Sequence, residues 1–297
     1  MKTALHSISY SGSWGQAQLS LDDFIARAAA LGFDAVMLTA KRPHASLLDM
    51  SAEARRRLRD SLQRHGISLA CLAAYTNFTA DAEHPEIPHR EMQIHYVGEL
   101  CRLAVDLGGK YVRIFTSYEH SAVPYARAWD QTVGAVKECA RRAADAGATL
   151  ALQNHHDLAG QADAFLQFLQ AVDEPSCRAA FDAWAPALHG DDLVAVAKKL
   201  ARFAVHTTVA DYILLPRFRY QPELVNFHRE ADYAQAVPMG EGFIDYKGFL
   251  AALRDNGFTG YVAYEMCSPL RDGSSLEVLD RYAQRFREFM RSIGGNS

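Results

Sequence analysis

Four stretches of this chain run apolar residues directly into side chains that can hold a metal or move a proton. Leu150-Ala151-Leu152 leads into Gln153-Asn154-His155-His156-Asp157, and Ala179-Ala180-Phe181 leads into Asp182. Phe203-Ala204-Val205 leads into His206, and Tyr261-Val262-Ala263-Tyr264 leads into Glu265. An apolar run that stops at such a residue has the form of a buried strand delivering a functional group at its C-terminal end. Gln153, Asp182, His206 and Glu265 together offer two carboxylates, an amide oxygen and an imidazole. That mixed oxygen/nitrogen set suits one divalent ion, Mn²⁺ or Mg²⁺ first and Co²⁺ or Zn²⁺ next, with positions left for a substrate's oxygens. His155 lies two residues beyond Gln153, so on a continuing strand it shares that face and is a candidate acid or base. Lys41, Arg42 and His44 sit in a polar loop after another strand, where a cation can hold a carboxylate or enolate oxygen. Tyr75, Asn77 and Arg113 stand near further strand ends as substrate contacts of lower weight.

These groups need a scaffold that brings the strand ends to one mouth. Five predicted helices stop at glycine (Gly32, Gly66, Gly108, Gly147 and Gly257), each just before an apolar strand. Ser20 and Ser51 stand where N-caps belong, and Asp22 and Asp23 suit a first turn. A strand–helix unit of roughly 37 residues repeated eight times fills the 297-residue chain. The reading is an α/β fold, a single (β/α)8 TIM barrel over residues 1–297. An open doubly wound sheet shares the alternation, but no Gly-rich dinucleotide fingerprint follows the first strand. One connection is irregular. Residues 212–244 form a long polar insertion carrying Arg217, Arg219, His228 and Arg229, expected as a lid over the active face, with His228 and Arg229 reaching substrate.

A net charge of −4 gives no bulk reason to expect nucleic acid or an anionic membrane as partner. The five cysteines are scattered, with no C-x-x-C pair, which argues for free thiols in a reducing, cytoplasmic setting. No apolar run is long enough to span a bilayer. The expected partner is a small-molecule carbohydrate, with a homo-oligomer allowed.

The residues that carry a family likeness are those strand endings together with Met239-Gly240-Glu241-Gly242-Phe243-Ile244-Asp245-Tyr246 and Phe258-Thr259-Gly260-Tyr261-Val262-Ala263-Tyr264-Glu265. With them the whole chain resembles the xylose-isomerase-like TIM barrels, which include sugar isomerases and epimerases, hydroxypyruvate isomerase, inosose dehydratase and an endonuclease branch. The resemblance implies that Asp182, His206 and Glu265 are metal ligands and that Gln153 stands where the family's first glutamate sits. Epimerases of the family use the first and last glutamates as an acid–base pair, and glutamine cannot accept a proton at neutral pH. Two further departures are Trp184 and Ala185 where a histidine is often found, and Asp211 five residues after His206 instead of closer.

The reading that follows is a metal-dependent isomerase or epimerase of a small keto-sugar acting through an enediolate. His155, Glu265 and Lys41 are the catalytic candidates. Its alternatives are a metal-dependent lyase that uses His155 as base for a β-elimination, and a metal-free sugar-binding barrel. An endonuclease would need a richer His/Glu cluster and a basic surface, and the chain has neither. Bland readings compete at several positions: a loop or cap role for His156 and Asp157, a turn role for Glu241, a solvated face for the arginines of 212–244, and aromatic core for Trp14 and Phe115.

Overall fold

The protein is described from a computed structural model covering residues 1–267 and 269–294. Its elements in chain order are β1 (Lys2–His6), α1 (Leu21–Ala30), β2 (Ala35–Thr39), α2 (Ala52–Arg64), β3 (Ser68–Ala73), α3 (His89–Asp106), β4 (Tyr111–Phe115), α4 (Tyr125–Asp145), β5 (Thr149–Gln153), α5 (Ala162–Val172), β6 (Cys177–Ala179), α6 (Trp184–His189), α7 (Leu193–Leu200), β7 (His206–Val209), β8 (Asp211–Gln221), β9 (Asn226–Val237), α8 (Tyr246–Asp255), β10 (Tyr261–Tyr264) and α9 (Leu276–Gly294). Local chemistry accounts for the boundaries. Ser20 and Ser51 cap α1 and α2 by accepting the amides of Asp23 and Ala54, as their positions predict. Gly32 takes φ +81° at the turn out of α1, a conformation that a side chain would strain.

Eight parallel strands form one sheet in the order β6-β5-β4-β3-β2-β1-β10-β7, curled into the (β/α)8 barrel. Its two ends meet lightly. Between β6 and the segment before β7 there is a single bridge, Ala179 with Ala204, made by the bonds Ala179 N–H to Phe203 O and Val205 N–H to Ala179 O, both 2.9 Å. The strands alternate between two cores. Outward residues such as Leu5, Val36, Val112, Ile114, Leu150, Leu152 and Val262 pack under the helices. Inward residues are mostly small, with Ala4, Ala35, Met37, Cys71, Ala73 and Ala263 forming a separate interior cluster.

The insertion after β7 is a two-stranded antiparallel hairpin, β8 with β9. Its root is fixed by Asp211, whose Oδ2 accepts the amides of Gly240 (2.9 Å) and Gly242 (3.0 Å). A Cβ on Gly242 would lie 1.9 Å from Asp211 Oδ1, so glycine is needed there for space. Beyond the root the arm is exposed. Phe218, Tyr220 and Phe227 share one face, while Arg217, Arg219, His228 and Glu230 occupy the other. No helix among the described residues is long and apolar enough to cross a membrane.

Candidate active site

The inner faces of β4 and β5 and the segment just after β6 deliver a hydrogen-bonded chain of three side chains. On β4 the alternation Tyr111–Arg113–Phe115 points inward while Val112 and Ile114 pack outward. Arg113 pairs in register with Ala73 on one side and Ala151 on the other, and these small neighbours leave room for a guanidinium inside the barrel. It is 3% exposed, lies 3.9 Å from the Phe115 ring centroid, and sits 5.1 Å from that of Tyr75. Arg113 Nη1 donates to Gln153 Oε1 at 2.9 Å, and Gln153 Nε2 donates to Asp182 Oδ2 at 3.0 Å. That pattern explains the glutamine. Between a cation and an anion, an amide accepts from one and donates to the other, whereas a glutamate would face Asp182 with like charge. Asp182 is held further by its Oδ1, which accepts Trp184 N–H at 2.7 Å, and by Asn154, which bonds both backbone groups of Asp182. Burial first, then the nearby Glu265 charge, pushes the Asp182 carboxyl up to about 7 against these hydrogen bonds.

Glu265 follows β10 on the same inner face. Its Oε1 accepts the Cys267 thiol at 3.3 Å, its Oε2 lies 3.7 Å from His6 Nε2, and burial raises its pKa while Arg113 opposes the rise. Cys267 in turn meets the Tyr212 hydroxyl at 3.4 Å, and the Tyr212 ring packs 5.4 Å from Trp184, so the hairpin root touches both carboxylate-bearing strand ends. Sequence reasoning missed Tyr212 and Cys267. Their only signal was closeness in sequence to Asp211 and Glu265.

His206 is not brought to this mouth. The run Phe203–Val205 reads as a strand, but it is the connection out of α7, and β7 begins at His206. In register His206 opposes Tyr261, four residues before Glu265, while Thr208 opposes Ala263 and Val209 O accepts the Glu265 amide. His206 therefore lies a layer deeper in the barrel, and Thr208 is the inward residue next to the mouth. Both ring nitrogens of His206 and the Thr208 hydroxyl are buried without a partner. Burial and then Arg113 lower the His206 pKa to about 3.

His155 also departs from expectation. The strand stops at Gln153, His155 N–H turns back to Gln153 O at 2.8 Å, and His156 adopts φ +73°, so His155 is not on a continuing strand. It stacks near Phe115 with ring centroids 4.6 Å apart. His155 Nδ1 accepts the His156 amide at 2.9 Å, which places the proton of the neutral ring on Nε2. Burial, with His156 and Arg113, brings its pKa down to about 3, so the ring is neutral at physiological pH. In that state His155 presents a donor rather than a base.

Lys41 lies with Nζ 4.0 Å from the Tyr75 ring centroid, its pKa lowered by burial and by Arg113. Asn77 accepts the Thr79 hydroxyl and amide. The remaining candidates are not brought to this cluster. Arg42 pairs with Asp49 on the exposed loop. His44 is buried against Phe24 and bonds Leu19 O. His228 and Arg229 lie on the exposed hairpin, where Arg229 pairs with Asp232. A cleft of about 410 Å³ lined by Tyr118, Asn154, His155, Asp182, Trp184 and Leu188 opens this side of the mouth.

The four-ligand metal shell expected from the strand endings does not fit. Gln153 Oε1 faces a guanidinium, His206 is a layer away with Thr208 in its place, and among the described residues no three His, Cys, Asp or Glu side chains form a group able to hold a metal ion. The cation built into this mouth is Arg113.

The family model described as xylose isomerase-like TIM barrel matches residues 25–291. Among solved structures, D-psicose 3-epimerase from Clostridium cellulolyticum H10, crystallised with D-tagatose, superposes with a TM-score of 0.76 at 18% identity, covering 99% of each chain. The probable 3-DHS dehydratase AsbF of petrobactin synthesis from Bacillus anthracis gives a TM-score of 0.74 at 18% identity, covering 98% of this chain and 99% of that one. The IOLI protein with a bound zinc atom gives 0.72 at 17% identity over 99% and 98%. No curated protein matches the chain in sequence.

Proposed function

Because the chain belongs to the xylose isomerase-like TIM barrel family, we propose that it is an enzyme that moves a proton at the carbon beside the carbonyl of a small keto-sugar. The observation that carries this reading is Glu265: a carboxylate of raised pKa at the end of β10, in the field of the buried cation Arg113. Glu265 takes the proton from the carbon next to the carbonyl, and the negative charge that develops on oxygen is stabilised by Arg113 and Lys41. Returning the proton to the former carbonyl carbon from the same face, with the neighbouring hydroxyl's proton passing to the former carbonyl oxygen, completes an isomerisation with one base. The His155 Nε2–H is a donor for a substrate hydroxyl or carbonyl. Epimerisation by two opposed carboxylates has no second base here, since Gln153 occupies that place. No step is assigned to a divalent ion, because the donor set does not fit one.

A specific observation favours elimination as the second reading. An Asp182 carboxyl pushed up to about 7 carries a proton near neutrality and lines the cleft. After Glu265 removes the proton, Asp182 can protonate a departing β-oxygen, which gives a lyase. The test is incubation with keto-pentoses, keto-hexoses and 3-keto-glycosides in D₂O, with and without Mn²⁺, followed by NMR. Deuterium incorporation beside the carbonyl, lost in Glu265→Gln, supports the reading, and the product separates isomerisation from elimination. No incorporation with any of them removes it.

A further inference from the structure

The most anomalous group in the molecule is Arg113. It is buried inside the barrel, yet among the described residues it makes one hydrogen bond, to a neutral amide, and no ion pair. Its Nε and Nη2 are both buried without a partner. These two atoms share one edge of the guanidinium, and their N–H bonds form the parallel fork that grips a carboxylate through both oxygens. The carboxylates of Asp182 and Glu265 lie in the field of this charge, but neither comes within ion-pair distance of the guanidinium. None of the nearby neutral rings of His6, His155, His156 and His206 hydrogen-bonds the free edge, and Lys41 above Tyr75 adds a second cation. A buried, unpaired guanidinium is costly unless an anion completes it.

Resting on the reading of this mouth as a sugar-handling site, we propose that Arg113 takes the place a metal ion would hold and that its free Nε/Nη2 fork binds the carboxylate of a sugar acid, without a divalent ion. The flanking alanines Ala73 and Ala151 make space for the guanidinium, and Gln153 fixes its other edge through Nη1. The substrate class is then a keto-sugar acid rather than a neutral ketose.

The test uses the full chain, treated with chelator, and two probes that differ only at carbon 1: 2-ketogluconate, which carries a carboxylate, and fructose, which carries a hydroxymethyl group. Calorimetric titration reads binding without turnover. The expected result is 2-ketogluconate binding roughly ten- to a hundredfold tighter than fructose, the range for a charge-assisted bidentate pair. Adding Mn²⁺ is expected to leave that preference unchanged. Arg113→Gln should remove the preference. Gln153→Glu keeps Arg113 but supplies an internal carboxylate, so it should weaken 2-ketogluconate and spare fructose, and it decides the matter should Arg113→Gln not fold. Equal binding of the two probes, no binding of 2-ketogluconate at millimolar concentration, or binding that requires Mn²⁺ each overturns the proposal. Because turnover is not read, failure of the deuterium-exchange test leaves this result standing, and the reverse also holds.

Discussion

The two arcs of the barrel mouth are built differently. On the arc from β4 to β6 the polar side chains form a continuous bonded series from Arg113 through Gln153 to Asp182, tied to the backbone by Asn154 and Trp184 N–H. On the arc from β7 to β1 the buried groups are left open: both nitrogens of His206, the Thr208 hydroxyl and His6 Nε2 have no hydrogen-bond partner, and Glu265 is held by a thiol. The first arc is a rigid scaffold whose geometry is set before any ligand arrives. The second holds the Glu265 carboxylate, while the first keeps unspent donors in the Nε and Nη2 of Arg113, so the chemistry draws on both arcs. Glutamine at 153 is what allows the first arc to close on itself.

The largest expected effect breaks the open arc. Glu265→Gln should slow deuterium exchange into a competent keto-sugar by about 10²- to 10⁴-fold, the usual worth of a positioned base, with the melting temperature little changed. A rate within a few-fold of the parent would move the base elsewhere. Next is the closed arc. Gln153→Leu removes both bonds and strands Arg113 and Asp182, so urea unfolding should show a loss of about 2–5 kcal/mol; a loss near zero would mean that the series carries no stability.

Acid should act mainly on the imidazoles. His155 and His206 have folded pKa values near 3 and His156 near 4, all below the unfolded value of about 6.5. Between those limits the unfolded chain binds protons that the folded chain refuses. Their contribution is therefore complete above about pH 6.5 and is lost as pH falls toward 3–4. Asp182, raised to about 7, works in the opposite sense over most of that window, as do Glu265 and Asp211, which burial also raises. They stand against five imidazoles once the lowered His6 and His44 are included. Unfolding free energy of chelator-treated protein should decline from pH 7 to pH 5, and a flat profile would contradict the burial of these rings. The smallest effect is Thr208→Val, which deletes a buried hydroxyl with no partner and should leave stability unchanged or raise it by up to about 1 kcal/mol. A clear loss in the same urea assay would show that the hydroxyl is bonded after all.

Much of the scaffold was legible because it obeys local rules. The helix-stopping glycines, the serine caps and the apolar runs marked the strand–helix repeat. Gln153 ends β5 and Glu265 directly follows β10 as the pattern implies, whereas β6 stops at Ala179, three residues short of Asp182. His206 was misplaced because Phe203–Val205 is as apolar as a strand, while the true start of β7 is set by pairing with β10, which no local pattern encodes. The hairpin was hidden because an exposed ribbon alternates polar and apolar residues without burying either face. Arg113 was undervalued although Tyr111–Val112–Arg113–Ile114–Phe115 carries the alternation that points it inward. What the sequence did not reveal was that its neighbours across the sheet are alanines.

The light join between β6 and β7 bears on how the barrel breathes. Every other neighbouring pair of barrel strands is laddered over two to five residues, whereas here one bridge holds, and it lies just below Asp182 and Thr208. Opening parts two backbone bonds and a few side-chain bonds, from Thr207 Oγ1 to Phe181 O and from Arg178 to the carbonyls of Arg202 and Phe203. That is little beside global unfolding, so the amides of Ala179 and Val205 should exchange with solvent well before those of β4 and β5. The seam therefore sets a clock of its own. The barrel can part at the boundary between its two arcs while the bonded series from Arg113 to Asp182 stays whole.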